Sequence, residues 1–201
     1  SRTSLDLPGR QQELLEALHA TGKPVVVVLI NGQPLTINWA DKHIPAILET
    51  WFPSCQGGTI IAETLFGDYN PGGKLTVTFP KSVGQIELNF PFKPGSHGTQ
   101  PQSGPNGSGS TRVMGELYPF GHALSYTSFE YSDLKVTPLE QKTQGNYTIT
   151  FNLTNTGKRQ GDEVVQLYVC DKYSSVVAYN SVLRGFERIS LDPGETKRVT
   201  F

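Results

Sequence analysis

Charge is scarce in this sequence. Asp, Glu, Lys and Arg make up 17% of the 201 residues, against ~25% in an average globular chain. The 17 basic side chains nearly cancel the 18 acidic ones. A nucleic-acid binder holds the phosphate backbone with a basic stripe, and no such stripe is visible here. Nucleic acid is therefore excluded as a partner, and so is a polybasic role at a membrane surface. Long apolar runs are also missing. The longest, at 25–30, has six residues, far short of the ~20 that cross a bilayer. Methionine occurs once, at Met114, and Ser1-Arg2-Thr3 carries neither the charged start nor the apolar core of a signal peptide. Any targeting signal is expected to have been removed or to lie on another piece. Two cysteines, Cys55 and Cys170, can build neither a metal site by themselves nor a disulfide framework. They are expected to be buried, reduced and on separate domains.

What the chain does have is turn chemistry, with 21 Gly and 14 Pro, and a change of pattern partway along. In residues 1–92 helix and strand signals alternate. Pro8 reads as a first helical position following Asp6, a candidate cap, and Leu14, Leu15 and Leu18 form the apolar face of that helix, which Gly22 ends. The β-branched run at 25–30 suits a strand buried on both faces of a parallel sheet, and 46–52 reads as a second strand. Gly57-Gly58 opens a helix with Ile60, Ile61, Leu65 and Phe66 as its apolar positions. Asn70-Pro71-Gly72-Gly73 reads as a tight turn with glycines at positive φ, and Leu75-Val77-Phe79 as a half-exposed strand. This order argues an α/β architecture, three-layered and mainly parallel, incomplete on its N-terminal side.

Residues 93–117 form a Gly/Ser/Pro-rich loop or linker, a length uncommon without a functional reason. Residues 118–201 then read as all-β. The alternation at Tyr147, Ile149, Phe151 and Leu153, the runs at 164–169 and 182–186, and the pair Val199 and Phe201 are separated by turn signals. The signals are Asn155-Thr156-Gly157, Gly161-Asp162 and Asp192-Pro193-Gly194-Glu195. That spacing predicts an antiparallel sandwich of immunoglobulin or fibronectin type III-like form. The last residues have a mid-strand pattern, so this domain is expected to be truncated.

Familiar catalytic signatures are scarce. Neither dinucleotide nor Walker glycine patterns are present, and no G-x-S-x-G elbow appears. His19, His43, His97 and His122 share no metal-ligand spacing, so no metal and no cofactor is expected. Glu13, Glu49, Glu63 and Asp68 read as exposed helix or turn residues. Asn106, Asn146 and Asn152 each begin a glycosylation sequon, a pattern common by chance.

Recognition comes from longer stretches. Ser4-Leu5-Asp6-Leu7-Pro8-Gly9-Arg10 through Lys23-Pro24-Val25, Phe66-Gly67-Asp68-Tyr69-Asn70-Pro71-Gly72-Gly73-Lys74-Leu75, and Leu117-Tyr118-Pro119-Phe120-Gly121-His122-Ala123-Leu124-Ser125-Tyr126 follow one another in order. Gly161-Asp162-Glu163-Val164-Val165 and Leu183-Arg184-Gly185-Phe186-Glu187-Arg188 complete the series. Over nearly its whole length the chain resembles the C-terminal portion of glycoside hydrolase family 3, in its bacterial β-glucosidase and β-xylosidase branch. Cys55 departs from the Gly, acidic or amide residue usual there, and Ala123 from Gly.

The resemblance implies the C-terminal part of a retaining, exo-acting β-glucosidase, periplasmic or secreted. Its partners would be the N-terminal (β/α) barrel of the same enzyme and a β-glucoside or oligosaccharide. Such enzymes use two carboxyl groups ~5 Å apart. The resemblance puts an Asp nucleophile on the barrel and a Glu acid/base shortly before residue 1, so no catalytic residue is carried over. The loop at 93–117 is expected to settle on the barrel rim, which makes Arg112 and His97 candidates for lining the substrate entrance. Glucosidase and xylosidase both remain open. So does a stand-alone carbohydrate-binding or structural interaction module without catalysis, although Trp39 and Trp51 both fall in the α/β portion.

Overall fold

A computed structural model describes residues 3–85, 88–94, 115–138 and 146–201. They fall into two compact units, Ser1–Ile61 with Leu75–His122 and Cys170–Val182, and Ala62–Lys74 with Ala123–Val169 and Leu183–Phe201.

The first unit carries helix α1 (Gln11–Ala20), strand β1 (Val26–Leu29), helix α2 (Asn38–His43) and strand β2 (Ala46–Glu49). Helix α3 (Gly57–Phe66) begins in it. The expected start of α1 at Pro8 is wrong. Gly9 sits at φ +58°, a left-handed conformation that interrupts a helical path, so Pro8 only receives the Gln11 N–H at 3.3 Å. Asp6 is not the cap of α1, whose N-cap is Arg10; its carboxylate takes the Ser4 and Thr36 hydroxyls. Gly22 does end the helix, at φ +70° with its N–H on the His19 carbonyl, the left-handed stop a glycine supplies. Of the expected apolar face only Leu15 is buried, while Leu14 and Leu18 are exposed.

β1 and β2 pair in parallel, Val26 opposite Ala46 through Leu29 opposite Glu49. β1 is not buried on both faces, because Val26 is exposed and only Leu29 is fully buried. The core lies around Leu15, Leu29, Leu35, Ile37, Ala40, Ile44 and Phe79. α2, unread in the sequence, contributes Ala40 to it. Nor is there a strand at 75–79 among the described residues. That segment instead meets residues 117–122 through one antiparallel bridge, Phe79 to Tyr118, and through Leu75 exchanging bonds with His122 and Gly121. Both cysteines are free; contrary to expectation they are exposed rather than buried, and Cys170 belongs to the same unit as Cys55.

The second unit holds strands β3 (Phe129–Pro138), β4 (Tyr147–Asn155), β5 (Gly161–Val169), β6 (Val182–Leu191) and β7 (Thr196–Thr200). They form two sheets, β3-β4-β7 and β5-β6. In β4 the buried positions are Phe151, Leu153 and Asn155, the period of two that places one face on a core. Val165, Ile189, Leu191 and Val199 complete that core. β3 bulges between Ser132 and Lys135, where Asp133 takes φ 55° and accepts the Asn152 amide at 2.7 Å. The turn at 192–195 forms as expected, with Gly194 at φ +77°, and carries the chain from one sheet to the other.

Candidate functional site

Arg112 and His97, the substrate-entrance candidates, lie outside the described residues. Other carboxylates and histidines can be placed. Glu13 pairs with Arg10 at 2.7 Å on the open surface of α1. His19, Trp39 and His43 form a ring cluster, with Trp39 and His43 stacked at 4.7 Å. Among the described residues no group of three His, Cys, Asp or Glu side chains is arranged to hold a metal, and no helix is long and apolar enough to cross a membrane.

Glu49 corrects the sequence reading. It is half-buried at the carboxyl end of β2. In open α/β sheets the carboxyl ends of parallel strands are where ligand crevices form. The chain leaves β2 abruptly. Thr50 donates its N–H and its hydroxyl to the Leu29 carbonyl, at 3.0 and 2.7 Å, which ties the end of β2 to the end of β1. Trp51 then turns at φ 51°, a left-handed conformation costly for a bulky side chain. Its N–H is held at 2.8 Å by Glu49 Oε1, and its ring lies 6.0 Å from that of buried Phe79.

From the other strand comes Asn31-Gly32-Gln33. The Asn31 amide donates to the Gln33 carbonyl at 2.6 Å and also faces the Glu49 carboxyl. Gly32 lies under Phe52, where a Cβ would sit 2.4 Å from the ring. Burial raises the pKa of Glu49 above the ordinary carboxylate range, partly offset by donors from Trp51, Asn31 and Thr50. Three buried atoms here have no protein partner: Asn31 Oδ1, Gln33 Nε2 and Glu49 Oε2. The sequence hint was Asn31-Gly32 directly after an apolar strand. Its partner Glu49 ends the other strand, β2, so spacing alone could not join them.

The segment at 68–74 has a different role. Gly72 and Gly73 are not at positive φ, and the segment bends at Asp68 and Tyr69 and then runs on irregularly, with no tight turn at 70–74. Gly72 is required by close approach instead, since a Cβ there would lie 2.8 Å from both the Asp162 Cβ and its carbonyl oxygen. Lys74 forms an ion pair with buried Glu163 at 2.8 Å, and Tyr131 adds its hydroxyl to the same carboxylate at 3.2 Å. Asn70 binds the Gln160 carbonyl, the Ser125 hydroxyl and the Tyr126 N–H. Arg188 bridges Asp162 and the Tyr69 hydroxyl. The Ser190 hydroxyl, with Arg188, holds Asp162 below its usual pKa despite some burial. These motif residues dock the segment on β5 and β6. They are scaffold.

Comparison with known proteins agrees with this arrangement. Residues 1–126 match the Glycosyl hydrolase family 3 C-terminal domain, and residues 163–201 match a fibronectin type III-like domain. A β-xylosidase of Formosa agariphila is 49% identical over all of this chain, which covers 27% of that protein. A periplasmic β-glucosidase of Salmonella typhimurium is 45% identical, again over all of this chain and 26% of its own length. The crystal structure of a Listeria innocua β-glucosidase in complex with isofagomine superposes with a TM-score of 0.89 at 32% identity, covering 100% of this chain and 28% of that one. The chain therefore spans about a quarter of the length of the relatives it matches.

Proposed function

The chain belongs to glycoside hydrolase family 3, and from that membership we propose that it is the C-terminal part of a retaining, exo-acting β-glucosidase. The enzyme would remove terminal β-D-glucosyl residues in carbohydrate metabolism. One observation carries this reading: the likeness to β-glucosidases runs over the whole chain in both sequence and structure. In this reading the two catalytic carboxyl groups lie outside residues 1–201, on a barrel and on the stretch preceding Ser1. The described residues support that division, because the family motifs at 68–74 and 161–163 are engaged in docking. Glu49 is a single carboxyl with its own backbone partner.

The domains are then 1–92, the end of the α/β sandwich domain, 93–117, a loop, and 118–201, the fibronectin type III-like domain. The loop settles on the barrel rim, with Arg112 and His97 lining the substrate entrance. The enzyme works in the periplasm or outside the cell, a location supported by the periplasmic relative. A second reading, a β-xylosidase, is favoured by the relative that shares 49% identity.

The test is hydrolysis by the longer polypeptide that carries this chain together with its barrel. Aryl β-glucoside and aryl β-xyloside are offered side by side, and the anomeric configuration of the first-formed sugar is followed by NMR. A higher kcat/KM for the glucoside with β-sugar released first is expected. Preference for the xyloside selects the second reading, and α-sugar released first contradicts a retaining mechanism.

A further inference from the structure

Two points bracket the stretch that carries His97 and Arg112, and each is held by a side chain from elsewhere in the sequence. At the return point the holder is Gln85, a residue only 7% exposed. Its Nε2 donates to the Gly115 carbonyl at 2.9 Å, and its Oε1 accepts the Lys81 and Ser82 N–H groups at 2.8 and 3.1 Å. One buried amide thus ties the chain before the stretch to the chain after it. Phe79 reinforces the tie through backbone bonds with Leu117 and Tyr118, and Phe90 stacks on Phe120 with ring centres 4.5 Å apart. At the departure point, Asn180 donates its N–H to the Phe92 carbonyl at 3.0 Å. Lys93 Nζ lies 5.7 Å from the centre of the Tyr179 ring, within cation–π reach. Tyr179 and Asn180 belong to the connection between β5 and β6, which groups with the first compact unit and not with its own strands.

A buried apolar side chain would fill the place of Gln85 at lower desolvation cost. An amide there instead dictates which backbone groups meet, so its role is to set geometry. The positions of its two ends bound where the side chains of a connecting stretch can reach. Ends fixed in advance also reduce the ordering entropy that binding must offset. We propose that Gln85 and Tyr179 are positioning residues for substrate, acting through the stretch between Pro94 and Gly115. Neither would touch substrate. Gln85 fixes the return of the chain and Tyr179 its departure, so that side chains between them meet substrate at the entrance. The proposal rests on the reading above, in which His97 and Arg112 line that entrance. It gives the connection between β5 and β6 a part in substrate binding.

The experiment measures kcat and KM for an aryl β-glucoside with the longer polypeptide that carries this chain and its barrel. Gln85→Glu keeps an acceptor for Lys81 and Ser82 but sets a carboxylate oxygen against the Gly115 carbonyl in place of a donor. It should raise KM about fivefold, the scale of one lost hydrogen bond, and leave kcat within about twofold. Tyr179→Ala, at an exposed position, should raise KM about threefold, and Tyr179→Phe, which keeps a ring for Lys93, should restore the parent value. A variant that merely folds less well loses active enzyme, so its apparent kcat falls at constant KM. That result, or a parental KM in both Gln85→Glu and Tyr179→Ala, overturns the proposal. Arg112→Ala and His97→Ala, measured alongside, separate it from the reading on which it rests. KM raised by these two and not by the Gln85 and Tyr179 variants keeps the entrance residues and sinks the positioning. KM raised only by the Gln85 and Tyr179 variants does the reverse, the positioning then acting through other residues of the stretch. No turnover by the parent sinks the glycosidase reading and the proposal together.

Discussion

Glu49 is a carboxylate placed where a neutral group would be more comfortable. Burial raises its pKa, while its Oε1 still accepts the Trp51 N–H. Between its ordinary value of 4.5 and its raised folded value, the folded state binds more protons than the unfolded one. Its contribution to stability is therefore present below pH 4.5 and lost as pH rises through the folded pKa. Glu49→Gln keeps the acceptor for Trp51 and removes the charge. It should raise the urea midpoint at pH 7 and flatten the loss of stability above pH 4.5, read by tryptophan fluorescence. A lower midpoint at pH 7 would contradict a carboxyl disfavoured by burial. Two neighbouring glycines offer a second test at this scale. Gly72 touches Asp162, whereas a Cβ at Gly73 would meet nothing within 4 Å. Gly72→Ala should then cost about 2 kcal/mol, the usual range for overpacking, and Gly73→Ala should be near neutral. Equal effects would mean that both glycines serve backbone conformation.

At the scale of elements, the irregular segment at 68–74 is fastened to β5 and β6 by charge-assisted bonds, Lys74 to Glu163 and Arg188 to the Tyr69 hydroxyl. Asp162 is the carboxylate of that network whose pKa is displaced. Its pKa is lowered, chiefly by the Ser190 hydroxyl, so its contribution is complete above its ordinary value of 3.8 and is lost as pH falls through the folded value. Asp162→Asn should lower the urea midpoint at neutral pH and leave a shallower acid limb below pH ~4. An acid limb as steep as that of the parent would assign acid sensitivity to other carboxylates. Elements with a sustained period were legible in the sequence, as β4 and the turn at 192–195 show. What failed did so for local reasons. The start of α1 was displaced by the left-handed Gly9, and the alternation at 75–79 found one bridge rather than a strand partner. The glycines of 72–73 looked like a turn because close approach to another segment leaves the same composition as positive φ. The meeting of Asn31 with Glu49 was illegible because one follows β1 and the other ends β2, and only the parallel pairing of the two strands joins them. A charged residue such as Glu49 also reads as surface until its neighbours are known.

At the scale of the whole molecule, the two units keep separate cores, one around Leu29, Ile37 and Phe79 and one around Leu153, Val165 and Leu191. In the proposed enzyme the loop at 93–117 is the part expected to approach substrate. Arg112→Ala and His97→Ala, made in the longer polypeptide, should each lower kcat/KM several-fold across a set of glucosides. Unchanged values would leave the loop a tether. The account turns on where catalysis resides. Its central claim is that these 201 residues carry the scaffold while both reacting carboxyl groups belong to the rest of the enzyme. Losing even one member of such a pair costs orders of magnitude in rate, because positioning and proton transfer go together. The direct measurement is aryl β-glucoside hydrolysis by the purified chain alone, and again after co-expression with the barrel-bearing part. The account predicts no turnover above background for the chain alone and restored hydrolysis with its partner. Turnover by the isolated chain at the rate of the combined parts, abolished by replacing a carboxylate within it, would contradict the claim.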